Sequence, residues 1–189
     1  MTADFPARIV AEPRNPAFRE DGAKRLALHP IFRAIGLEVV SLDPGQAVIE
    51  IPLTESQEGP VGHFAAGSVG TLGDVAAMHS VLTLQPRNTR MATLDFTVKM
   101  CAPAKGVRLR AVGRVMQLGR STSVGAADVY AIAADGTATL CGAVLATGAL
   151  PAPLDLLPLS PLAGALALFV GGAAALVALL WAGTALMPG

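Results

Sequence analysis

The stretch that decides the fold is Gly62-His-Phe-Ala-Ala-Gly-Ser-Val-Gly-Thr-Leu-Gly-Asp74, which runs on without a proline to Leu84. From Ala66 onward it is rich in Ala, Val, Leu and Met, and Pro86 follows, so it reads as one long, mostly buried helix over 66–84. Gly67, Gly70 and Gly73 each cost about 1 kcal/mol of helix propensity relative to alanine. Close packing of that helix against a sheet or a ligand is the expected compensation. A loop enters the helix at Ala66, so the amides of Ala66 and Gly67 belong to its first unpaired donors. Such donors, at the positive end of the helix dipole, suit a carbonyl oxygen gaining negative charge during acyl transfer. Asp74 lies seven residues after Gly67 and returns to the same helix face. Its neighbours Leu72, Gly73, Val75, Ala76 and Ala77 make it costly to bury, and desolvation is expected to raise its pKa. The bland alternative is a polar residue at the solvent edge of the helix or one capping a neighbouring loop.

Upstream, Gly36–Leu42 alternates as a strand, Asp43-Pro44-Gly45 has the composition of a turn, and Gln46–Leu53 reads as the returning strand. Residues 54–65 form a polar loop. Residues 1–22 carry Pro6, Pro13 and Pro16 with no sustained period and read as an arm, followed by a short helix from Asp21 to Ala34 broken at Pro30. Downstream come four strand-like runs: Met91–Cys101, Val107–Gln117, Ser121–Ala133 and Thr137–Leu150. The last two are separated by a turn containing Asp135-Gly136. One hairpin, one long helix and a meander make an α+β pattern, in which a sheet wraps a single buried helix.

Composition changes at Pro151. Pro151, Pro153, Pro158 and Pro161 mark 151–161 as a linker, and Leu162–Met187 is 26 residues without a charge. As a helix that is about 39 Å, against a hydrocarbon core of roughly 30 Å. The segment reads as a C-terminal membrane anchor or, alternatively, as a hydrophobic helix packed on an oligomer. The remaining domain, 23–150, is expected in the cytoplasm. With 14 basic and 14 acidic residues, the chain has no excess charge to attract nucleic acid. Cys101 and Cys141 are too few for a metal box or a disulfide framework, and read as small hydrophobes in a reduced core.

The loop-to-helix stretch resembles the helix-entry motif of the PaaI-type hotdog-fold acyl-CoA thioesterases, a histidine followed by Gly-Gly or Ala-Gly, then small residues and an Asp. The resemblance continues through Thr93-Leu-Asp-Phe-Thr-Val-Lys-Met-Cys-Ala-Pro-Ala-Lys-Gly106, Leu109–Val115 and Gly119-Arg120, covering roughly residues 26–150. It implies a hotdog fold, an antiparallel sheet around a long central helix, and a homodimer or homotetramer with its site between subunits. It further implies thioester hydrolysis without metal or redox cofactor. Asp74 takes the place of the catalytic carboxylate, as general base or nucleophile, and Gly67 that of the glycine whose amide polarises the carbonyl. Thr93 matches a position where a hydroxyl from the neighbouring subunit orients water; otherwise it is a β-branched strand residue facing the sheet.

Two positions depart from the pattern. The family histidine aligns with Ala65, leaving His63 as a substitute or as a loop histidine without a role. The usual Asn or Gln falls on Gly59, with Gln57 and Glu58 beside it. Losing such an orienting hydrogen bond costs on the order of 10² in rate. His79 is expected in the core or an interface, and Asp95 facing a partner or solvent. Arg108, Arg110, Arg114 and Arg120 read as a solvated strand face or as contacts to the phosphates of CoA. Three functions follow in order: hydrolysis of acyl-CoA, non-catalytic binding of acyl-CoA or lipid, and dehydratase-like chemistry. Ala65 argues against the last.

Overall fold

The computed structural model describes residues 9 and 11–150. The elements are α1 (Phe18–Leu28), α2 (Pro30–Ala34), β1 (Glu38–Asp43), β2 (Gln46–Pro52), α3 (Ala66–Leu82), β3 (Ala92–Met100), β4 (Arg108–Gln117), β5 (Thr122–Ile132) and β6 (Ala138–Ala149). Six strands form one antiparallel sheet in the order β1-β2-β4-β5-β6-β3. The long helix α3 packs across it, touching β2, β4, β5, β6 and β3. The anchor and linker at 151–187 lie outside the described residues, and among the described residues no helix is long and apolar enough to cross a membrane.

The strand turns follow their chemistry. Asp43 pairs with Gln46 across Pro44-Gly45, and Gly45 adopts φ +75°. Ala133 N–H donates to the Thr137 carbonyl across the Asp135-Gly136 turn, with Gly136 at φ +85°. Both glycines hold a backbone region that side chains disfavour.

Nearly the whole of α3 is buried. Val69, Leu72 and Val81 are fully covered by Ile49 and Ile51 of β2, Leu109 and Val115 of β4, Val129 of β5 and Val144 of β6. Helix and sheet approach so closely that glycine is required where they touch. A Cβ on Gly113 would lie 2.0 Å from the Ala76 carbonyl oxygen, and one on Gly73 2.4 Å from Val144. The glycines that weaken α3 as an isolated helix therefore let it settle onto the sheet, as expected for Gly70 and Gly73 though not for Gly67.

Two details differ from the sequence reading, while the break read at Pro30 is present. Helix α1 begins at Phe18, inside the stretch read as an arm. Asn15 starts it, its carbonyl accepting from Phe18 N–H and its Oδ1 from Ala17 N–H, and Phe18 is buried against the sheet with Leu42 and Ala47. Pro30 opens α2 at its first position, where a missing N–H costs nothing. Cys101 is exposed, and Cys141 alone of the two is a core residue.

The alternating arginines are occupied on the sheet. Arg110 and Arg108 both pair with Glu50, which is only 7% exposed, and Arg114 pairs with Asp128 at 2.9 Å. These three fit the strand-face reading; Arg120 makes no ion pair among the described residues.

Candidate active site

Helix α3 opens where the loop before it is held down. Ala65, extended at φ −63° and ψ 147°, is its N-cap, with no side-chain cap. Ala65 N–H donates to the Gln57 carbonyl at 2.8 Å, and Phe64 N–H to that of Ala104 at 2.9 Å. Ser68 and Val69 N–H both turn back to the Ala65 carbonyl. The two preceding amides, of Ala66 and Gly67, have no intrahelical acceptor. Both residues are exposed, and a Cβ on Gly67 would meet nothing within 4 Å. This glycine is not needed for packing; its backbone is open to a ligand.

Seven residues on, about 20° from Gly67 around the helix by the 3.6-residue repeat, Asp74 is half-buried. The Thr93 hydroxyl lies 3.1 and 3.2 Å from its two carboxylate oxygens and donates to the pair. Burial pushes the Asp74 carboxyl above its ordinary pKa, and the Thr93 hydrogen bond pulls the other way. The two residues come from one chain. A hydroxyl thus reaches Asp74 within one chain, because β3 lies along the flank of α3 and its ladder with β6 shifts register between Thr93 and Asp95.

Sequence reading missed the apolar wall of this flank. A Cβ on Gly70 would sit 3.2 Å from Phe96 and 3.7 Å from Val98, so both side chains lie against the helix between Gly67 and Asp74. The signal was present in the alternation Phe96-Thr-Val98, which was read only as a strand.

The substitutes for the missing family residues stay away from Asp74. The ring Nδ1 of His63 lies 2.9 Å from the Val61 carbonyl, within its own turn. Gln57 is 3% exposed and its Nε2 donates to the Ile35 carbonyl, while its Oε1 has no partner among the described residues. Through its own carbonyl, Gln57 holds the residue that caps α3. Asp95 is exposed. His79 is buried, its Nδ1 donating to the Val75 carbonyl, and burial lowers its pKa to about 4. It is a neutral core residue, as read. Among the described residues no group of three His, Cys, Asp or Glu side chains is placed to hold a metal ion.

The open position of Gly67 makes a prediction. Gly67→Ala is expected to leave the fold as stable or up to about 1 kcal/mol more stable, from helix propensity alone. Its methyl would stand where a substrate carbonyl must approach, so activity is expected to fall while the melting temperature does not. Thermal unfolding beside turnover checks both.

No family model matches the sequence, and no curated protein matches it. Solved structures do. The chain is similar to a thioesterase family protein from Silicibacter pomeroyi, with 25% identity over 69% of this chain and 95% of that one and a TM-score of 0.65. It is also similar to a thioesterase from Haemophilus influenzae, with 16% identity over 71% and 91% and a TM-score of 0.61. A third is the E. coli PaaI protein from the phenylacetic acid degradation operon, with 15% identity over 70% and 92% and a TM-score of 0.60. The latter two likenesses show the fold alone. The architecture is the hotdog fold that the helix-entry motif implied, and its structural neighbours are thioesterase-superfamily proteins, PaaI among them.

Proposed function

We propose that this chain hydrolyses acyl-CoA thioesters, with Asp74 as the catalytic carboxylate. The observation that carries the reading is the shared flank: Asp74, oriented by Thr93, lies on the side of α3 where the amides of Ala66 and Gly67 are free. A thioester carbonyl oxygen placed at those amides gains two hydrogen bonds as negative charge develops on it. Asp74 then takes a proton from a water as the water oxygen bonds to the carbonyl carbon, or attacks that carbon itself. When water attacks, collapse of the intermediate breaks the C–S bond and the sulfur leaves as the thiol with the proton that Asp74 returns; when Asp74 attacks, the sulfur leaves as thiolate, and water then hydrolyses the acyl-aspartyl anhydride to free acid and carboxylate. A pKa raised by burial makes Asp74 a stronger base than an exposed aspartate.

The open edge of β3 supports a homodimer or homotetramer. It is the last strand of the sheet, and Leu94, Phe96 and Met100 are all more than 40% exposed on it. An edge strand of that length with exposed large side chains is a template for pairing. A second copy would close the groove beside Phe96.

One observation favours a second reading, a non-catalytic acyl-CoA or lipid-binding module. Ala65 replaces the histidine, and His63 is bonded in its own turn rather than to Asp74. Purified protein incubated with aromatic and straight-chain acyl-CoAs separates the two. Release of free thiol that depends on Asp74 supports hydrolysis, whereas binding without thiol release supports the module.

The 162–187 segment is proposed as a membrane anchor on its length and lack of charge alone. Full-length protein is expected in the membrane fraction and a chain ending at Ala152 in the supernatant. Equal solubility of the two would remove the anchor.

A further inference from the structure

Four hydroxyl side chains lie on α3 or close it, and three of them are bonded. Ser68 Oγ donates to the Gln57 carbonyl at 3.4 Å, Ser80 Oγ to that of Ala77 at 2.6 Å, and Thr83 Oγ1 to that of Ser80 at 2.6 Å. Thr71 is the exception. It is half-buried, yet its hydroxyl makes no hydrogen bond among the described residues. A threonine inside a helix commonly turns this group back to a carbonyl of the preceding turn, as Ser80 and Thr83 do here. One that does not is left to a partner from outside the helix.

The position of Thr71 says which partner. By the helix repeat it lies about 40° from Gly67 and about 60° from Asp74, and between the two along the axis. Gly70, against which Phe96 and Val98 of β3 rest, is on the other side of the Gly67–Asp74 line. The site therefore has an apolar wall on one flank and the Thr71 hydroxyl on the other. Residues three apart on a helix are neighbours, with Cβ atoms about 5–6 Å apart. One water bridges such a span with two hydrogen bonds of about 2.8 Å each.

We propose that Thr71 is the second anchor of the attacking water, whose two hydrogens go to the Asp74 carboxylate and to Thr71 Oγ1. The proposal rests on the hydrolase reading and deepens it, because it makes water the group that attacks. A water donating both hydrogens in this way keeps a lone pair for the carbonyl carbon, whose oxygen sits at the Ala66 and Gly67 amides. Asp74, fixed from the β3 side by the Thr93 hydroxyl, takes one hydrogen as a proton while the new C–O bond forms. Thr71 holds the other hydrogen throughout. The proton on Asp74 then passes to the sulfur as the C–S bond breaks, leaving free acid and thiol.

The test is thiol release from acyl-CoA by full-length wild type, Thr71→Val and Thr71→Ser, with kcat and KM read separately. Valine keeps the shape of threonine and removes only the hydroxyl, and serine keeps the hydroxyl. Thr71→Val is expected to lower kcat by a factor of about 10 to 10² with KM and melting temperature nearly unchanged, the pattern of an interaction that matters only in the transition state. Thr71→Ser is expected to restore most of the rate. Turnover by Thr71→Val equal to wild type, or an equal loss in Thr71→Ser, would overturn the anchor and leave the Asp74 chemistry standing. A raised KM with unchanged kcat would make Thr71 a substrate contact and overturn it too. So would label from ¹⁸O-water in the Asp74 carboxylate after turnover, since that requires an acyl-aspartate. A wild type that releases no thiol removes the anchor together with the hydrolase reading.

Discussion

Asp74→Asn is expected to lower thioester turnover by a factor of about 10² to 10⁴, the range that a positioned acid–base group contributes. Asparagine keeps the shape and the contact with Thr93 but neither takes a proton nor attacks a carbonyl. The same substitution is expected to leave the fold no less stable, because burial works against the charged form. In the fold the Asp74 pKa is raised, so its favourable contribution is complete below the unfolded value near 3.9 and is lost as pH rises through the folded pKa. At neutral pH the wild-type carboxylate therefore subtracts from stability, and the variant's advantage in melting temperature shrinks on acidification. Turnover in the wild type runs oppositely, rising with pH as Asp74 ionises, with its midpoint above the ordinary aspartate value. Rates and melting temperatures measured across pH for both proteins check this. A variant that keeps more than a tenth of the rate would take Asp74 out of the mechanism and leave the binding module as the better reading.

Gly113→Ala is expected to destabilise the domain strongly. The added carbon would lie 2.0 Å from the Ala76 carbonyl oxygen, 2.2 Å from its carbon and 2.8 Å from Ala77 N. All three are backbone atoms of α3, which cannot escape by changing rotamer. Nor can β4 retreat, since Gly113 is paired on both sides, with Ala47 of β2 and Ala127 of β5. Overpacking of this kind costs about 3 kcal/mol or more, which at about 2–4 °C per kcal/mol lowers the melting temperature by about 6–12 °C. Thermal unfolding followed by circular dichroism reads it directly. A loss under 1 kcal/mol would mean that helix and sheet are not in the close contact described. Gly67→Ala is the counterpart on the same helix, where the methyl meets only open space.

Much of the site was legible because it is written locally. Gly67 and Asp74 share a face by the helix repeat, and the first amides of a helix are free wherever a loop leads into it. Both follow from residues seven apart. The substitutes were not legible in the same way. Sequence proximity placed His63 and Gln57 beside the helix entry, but His63 bonds to Val61 and Gln57 turns inward to Ile35, contacts set by the path of the loop.

By itself the sequence determined the elements: a helix from Ala66, six strands with turns at Pro44-Gly45 and Asp135-Gly136, and a carboxylate on the helix face of Gly67. Each depends on patterns a few residues long, so propensity and periodicity suffice. Tertiary structure alone decided that β3 crosses to the far edge beside β6, bringing Thr93 and Phe96 to α3 within one chain. It also decided that Phe18 starts a helix and that Glu50 gathers Arg108 and Arg110. Those groups lie tens of residues apart. Only closure of the whole sheet around its helix selects their partners, and no local preference encodes that choice.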